Sequence, residues 1–126
     1  MAAPDEPLTG DALLDAVTSS MVAFHHRYHH RRPAAAKTQL LDDDLLVCVL
    51  GGVYSDVEKT MIEIEREPLV REVRSAFQTA MQDRFIDEVQ RLSRRKVLSF
   101  ISNSHVGPDL EIEIFVLGAP MDAAPA

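Results

Sequence analysis

Six consecutive apolar residues, Leu45-Leu46-Val47-Cys48-Val49-Leu50, lie between an acidic run, Asp42-Asp43-Asp44, and the pair Gly51-Gly52. The segment is apolar at odd and even positions alike, so it has no face to give to water and reads as a strand near the middle of a sheet. The weaker strand Lys37–Leu41 precedes it. The aspartates between them favour a turn, because Asp bonds its own following backbone, so the two strands form a hairpin. Gly51-Gly52 stops the second strand and permits an unusual backbone angle at its exit. It lacks the Gly-Lys-Ser/Thr ending of a phosphate loop. The aspartate run lacks the glycine and distal glutamate of an EF-hand.

Helical patterns lie on both sides of this hairpin. After Gly10-Asp11, the residues Leu14, Val17, Met21, Phe24 and Tyr28 recur at alternating steps of three and four, an amphipathic stripe. Pro33 ends that helix near Arg32. Ser55-Asp56-Val57-Glu58 is a capping box that opens a short helix to about Arg66. Pro68 suits the first turn of another helix, which runs to about Ser93. Its inward positions are read as Leu69, Val73, Phe77, Ala80, Met81, Phe85, Val89 and Leu92, with Arg71 and Arg74 among the outer charges. Lys96–Ser102 is a third strand. The run Leu110-Glu111-Ile112-Glu113-Ile114-Phe115-Val116-Leu117 alternates, which marks a fourth strand with one buried and one wet face and Ile112 toward the core. The resulting order, α-β-β-α-α-β-β, predicts an α+β fold: a four-stranded antiparallel sheet from two hairpins with helices packed on one face. Residues 1–10 read as a disordered leader, 11–117 as the domain and 118–126 as a flexible tail.

Composition narrows the function classes. The chain has 126 residues and a formal charge of −7, with a pI near 5.1. That balance argues against general nucleic-acid binding, where neutralising phosphates dominates affinity. No stretch approaches the ~20 apolar residues of a membrane helix, and the acidic, proline-rich start is unlike a signal peptide. The single cysteine, Cys48, allows no intrachain disulfide and reads as a buried small hydrophobe. These features fit a cytoplasmic protein with no membrane insertion.

Two clusters of side chains are candidates for chemistry. His25, His26, His29 and His30 form two i,i+4 pairs, a spacing found in metal sites. They are read as lying at the edge or on the outer face of the first helix, where His and Arg favour the helix dipole. A second role there is pH sensing beside Arg27, Arg31 and Arg32. Arg71, Arg74, Arg94 and Lys96, with Arg31 and Arg32, are candidates for an anion or partner site because guanidinium forks match phosphate and carboxylate. The competing structural reading pairs Arg71 and Arg74 with Glu58, Glu65 or Glu67. No Ser, Cys or His sits in a recognisable catalytic setting, and no motif calls for a cofactor.

The order of these pieces resembles the MpsC-like family, the C component of a sodium-translocating membrane-potential-generating system. The residues that carry the resemblance are Lys37, Asp42–Asp44, Leu45–Leu50 with Gly51-Gly52, and Ser55-Asp56-Val57-Glu58-Lys59. Leu69-Val70-Arg71-Glu72-Val73-Arg74, Arg94-Arg95-Lys96-Val97 and Glu111-Ile112-Glu113-Ile114-Phe115 follow. The resemblance spans Asp11 to Leu117. It implies a partner protein at an ion-translocating membrane complex and does not define a reaction. The residues favour a non-enzymatic interaction or regulatory module that is a homodimer, with Leu14 through Tyr28 resembling a seam that packs within the chain or across two copies. The alternatives are an RNA-, nucleotide- or anion-binding domain using the basic end of the first helix with Arg71, Arg74 and Lys96, and a small enzyme.

Overall fold

A computed structural model describes residues 6–121. The elements are α1 (Gly10–His29), β1 (Ala35–Leu41), β2 (Leu45–Gly51), α2 (Asp56–Glu63), α3 (Glu67–Ser93), β3 (Arg95–His105) and β4 (Leu110–Pro120). The four strands form one sheet in the order β1-β2-β4-β3, with every neighbour antiparallel. This is the α+β arrangement expected from the sequence, and β2 does lie between two other strands. The helices pack on one face of the sheet, chiefly α1 against β1 and α3 against β3.

Turn chemistry sets the first hairpin. Asp42 and Asp43 both have positive φ, 51° and 64°, and the Asp44 amide donates to the Leu41 carbonyl. This is the pattern of a tight hairpin turn, which Asp tolerates better than most side chains. At the exit of β2, Gly52 has a φ of +66°, and a Cβ placed there would come 2.5 Å from the Cβ of Ala34. The glycine is therefore required both by conformation and by space.

Each long helix keeps most of the face read from the sequence: Val17 and Met21 in α1 and Met81, Phe85, Val89 and Leu92 in α3 are buried, Leu14, Phe24 and Phe77 pack against them, and the departures are local. In α1 the buried residues are Leu13, Val17, Met21 and His25, so His25 lies inside rather than at the edge. The buried line Leu13-Val17-Met21-His25 steps by four. Tyr28, assigned to the stripe, is 37% exposed. In α3 the buried residues include Val70, Arg74, Met81, Phe85, Val89 and Leu92. Leu69, Val73 and Ala80, expected inward, are exposed, and Arg74, expected outward, is only 3% exposed. The deep positions Met81, Phe85, Val89 and Leu92 fix the phase of this helix. Counting back from them in helical steps reaches Phe77 or Gln78, then Arg74 and Val70.

The reading of β4 is inverted. Glu111 and Glu113 are 4% and 1% exposed beneath the helices, while Ile112 and Ile114 lie on the outer face of the sheet. Phe115 and Leu117 are packed into the helix-side core, and the period of two then carries residues 111 and 113 to the same side. The core centres on Phe85, Phe115, Met21, Leu46, Leu50 and Val17.

At the ends, residues 1–5 and 122–126 of the expected leader and tail lie outside the described residues. Leu8 is tied in, its amide donating to the Leu92 carbonyl at 3.0 Å, and β4 continues through Gly118 to Pro120.

Candidate functional site

Ser55 begins the most densely connected polar region. Its hydroxyl accepts from the Glu58 amide at 3.1 Å, and Glu58 Oε1 accepts from the Ser55 amide at 2.9 Å, so the capping box is complete. Capping leaves the Glu58 carboxylate at the start of α2, facing α3. There Arg74 Nε donates to Glu58 Oε2 at 2.9 Å. Arg74 Nη2 donates to Asp109 Oδ1 at 3.2 Å, and Nη1 lies 3.2 Å from Glu111 Oε1. One guanidinium therefore ties together α2, α3, the β3–β4 turn and β4.

Neighbouring groups complete the network. The Tyr54 ring covers the guanidinium, with the Arg74 Cζ 4.8 Å from its centroid. The Tyr54 amide donates to Asp109 Oδ2 at 2.7 Å, and the Tyr54 hydroxyl accepts from the Gly107 amide at 2.9 Å. Gln78 Nε2 and the Ser104 hydroxyl both donate to Glu111 Oε2, at 3.0 and 2.8 Å. Burial alone would raise the pKa of Glu58. The bonds from Arg74 and the Ser55 amide outweigh it and hold the carboxyl below its usual value. Burial also weakens the charge on Arg74, and its acidic partners more than restore it, so its pKa is raised. Glu111 differs: burial dominates, and its pKa is raised despite Ser104, Arg74 and Gln78.

Glu113, two residues along β4, stands opposite Cys48 on β2 and Ser102 on β3. Burial, with Glu111 adding to it, pushes its carboxyl up to about 8 against the effect of Ser102. It is therefore protonated at neutral pH. Burial likewise pushes the Cys48 thiol up to about 11, which makes it unreactive.

The six cationic candidates do not converge. Arg74 is the buried hub, and its pairing with Glu58 matches the structural reading of that residue. Arg71, on the exposed side of the same helix, lies 3.8 Å from Glu67. Arg31 pairs with Asp56 at 3.3 Å, near the start of α2, and Arg32 is exposed. Arg94 caps the far end of α3, its amide donating to the Gln90 carbonyl at 2.8 Å, and Lys96 is exposed on β3. Arg94 stands twenty positions after Arg74, about 30 Å along the helix axis.

The four histidines divide in two. His25 and His29 stack with centroids 5.6 Å apart, and His29 lies 4.6 Å from the Phe77 ring. His25 Nδ1 donates to the Met21 carbonyl at 2.9 Å. Burial lowers the His25 pKa to about 4, and burial also lowers that of His29. His26 and His30 are exposed. Among the described residues, no group of three His, Cys, Asp or Glu side chains is placed to hold a metal ion.

Sequence reading missed Tyr54, Gln78, Ser104, Asp109, Glu111 and Glu113. The available signal was the phase of the strand: Glu111 and Glu113 share parity with Phe115 and Leu117. That signal competes with Ile112 and Ile114, which share parity with Val116.

Comparison with known proteins fits this architecture to a family. Residues 10–119 match the family described as the Na+-translocating membrane potential-generating system (MpsC). The chain belongs to the MpsC family. No curated protein and no solved structure matches it. The matched span begins with α1 and ends in β4, so it takes in every residue of the Arg74 network. Among the described residues of this MpsC-family chain, no helix is long and apolar enough to cross a membrane.

Proposed function

We propose that this chain is a non-enzymatic interaction module, acting as a homodimer on the cytoplasmic side of a sodium-translocating membrane-potential-generating system. The observation that carries the reading is the inverted sheet. The carboxylates of β4 are under the helices, and Ile112 and Ile114 are on the outer face, where an isolated domain would place polar residues. The interior ionisable groups support the same view. Glu58, Asp109 and Glu111 are engaged by Arg74, so they serve to lock four elements together rather than to meet a substrate. The family description supplies the membrane-system context.

Affinity capture with the full chain, from native membranes and from cytosol, tests this reading. Recovery of membrane-complex subunits is expected. Recovery of RNA alone, with a steep loss of binding as salt rises, would overturn it in favour of a nucleic-acid-binding domain.

A further inference from the structure

The outer sheet face has the anatomy of an interface. Cross-strand pairing arranges it in four rows: Leu41-Leu45-Val116-Ser99, Gln39-Val47-Ile114-Ile101, Lys37-Val49-Ile112-Asn103 and Ala35-Gly51-Leu110-His105. The two middle strands contribute no polar side chain to these rows. Polar groups stand only at the edges, Lys37 and Gln39 on β1 and Ser99, Asn103 and His105 on β3. Lys37 is the single Asp, Glu, Lys or Arg in the sixteen positions, in a chain that is 26% charged. The apolar surface continues past the first row. A bulge in β3 turns out Leu98, which is 66% exposed. It lies over Gly118, where a Cβ would come 3.0 Å from the leucine side chain. An apolar middle with a polar rim is the composition of a protein interface.

We infer that this face packs against the same face of a second copy of the chain, sheet on sheet. The inference rests on the homodimer reading above and assigns its surface. Size supports a second copy. Seven residues of strand span about 23 Å and four strands about 19 Å, a plan area of about 440 Å². Two copies bring together about 900 Å² before side-chain relief is added, close to the ~1,000 Å² at which specific association begins. Charge supports it too. Two chains of −7 repel each other over most of their surfaces, and this face lets them approach without opposing carboxylates. A two-fold axis parallel to the strands lays the β1 edge of one copy over the β3 edge of the other. Lys37 then comes over Asn103 of the partner subunit, whose side-chain oxygen can accept from it. Sheets packed in this way align within about 30°. An anionic bilayer is a poorer occupant, because a chain of this charge with one cation on the face gains nothing from acidic lipid.

Light scattering coupled to size exclusion, at tens of micromolar chain, tests the assignment with Ile101→Asp, Ile114→Asp and Val73→Asp. Ile101 is 54% exposed on an edge strand and Val73 is 59% exposed on α3, so neither substitution disturbs the helix-side core. Wild type and Val73→Asp should run at twice 14.0 kDa. Ile101→Asp and Ile114→Asp should fall to a single chain with unchanged helical circular dichroism. If Ile114→Asp unfolds, Ile101→Asp alone decides. A dimer that survives Ile101→Asp, or that Val73→Asp breaks, overturns the sheet-face assignment and leaves the homodimer standing. A monomeric wild type overturns the homodimer itself. If that monomer captures a different protein or sediments with phosphatidylglycerol vesicles, and Ile101→Asp abolishes this, the face belongs to that other occupant.

Discussion

Arg74 compensates three interior carboxylates, so losing its charge should be more damaging than losing any one of them. Arg74→Ala leaves Glu58 and Glu111 buried without their cation, and breaking a buried pair in this way costs about 3–5 kcal/mol. Urea denaturation should show that loss, and a loss below 1 kcal/mol would mean the network contributes little. Glu113 makes a different prediction. Its carboxyl is raised from 4.5 to about 8, so between those values the unfolded chain has released a proton that the folded chain keeps. Stability contributed by this group is full below pH 4.5 and declines as pH rises to about 8. His25 runs the other way. Its pKa is lowered from 6.5 to about 4, so its contribution is present above pH 6.5 and is lost as pH falls toward 4. The two oppose each other between pH 4.5 and 6.5. From 6.5 to 8 the Glu113 decline acts alone of the pair, at up to about 1.4 kcal/mol per pH unit. Glu113→Gln should flatten that stretch of the stability profile, and an unchanged slope would count against a neutral Glu113. At this scale the sequence was least informative. Arg74 sits among charged residues on a helix whose outer face is also charged, and nothing local distinguishes it from Arg71. Only the phase set by Met81, Phe85 and Val89 places one inside and the other outside.

Elements were more legible because their signals are short-range. The capping box at Ser55, the aspartate turn and the glycine exit of β2 each act over a few residues, and each is formed as read. Ser55→Ala should cost about 1 kcal/mol through the lost cap. Because Glu58 also holds Arg74, the same change should loosen α2 against α3, seen as faster amide exchange in both helices. Exchange confined to the first turn of α2 would mean the cap and the network act separately. Gly52→Ala meets both a left-handed φ and the Cβ of Ala34, and should cost about 1–3 kcal/mol by thermal denaturation. What sequence did not set was which face of β4 and which line of the first turns of α3 is buried. In β4 one face carries Leu110, Ile112, Ile114 and Val116 and the other Glu111, Glu113, Phe115 and Leu117, so alternation identifies a strand but favours the wrong face as the buried one. In α3 the exposed Leu69 and Val73 supply a second apolar line that competes with the true one.

At the scale of the whole molecule, both uncertainties have one cause: the chain carries more apolar surface than one core can cover. The run Leu45–Leu50 illustrates this. Leu46, Cys48 and Leu50 face the helices, whereas Leu45, Val47 and Val49 face outward with Ile112 and Ile114. Such a strand suits the proposed pairing of two copies, with helices of its own chain on one side of the sheet and another layer on the other. Thiol labelling of Ile112→Cys measures that cover most directly, since Cys48 is buried beneath the helices and unreactive. With the outer face covered, labelling at tens of micromolar chain should be at least tenfold slower than for an exposed thiol and should speed up on dilution. Labelling at the rate of an exposed thiol at every concentration would contradict a covered outer face.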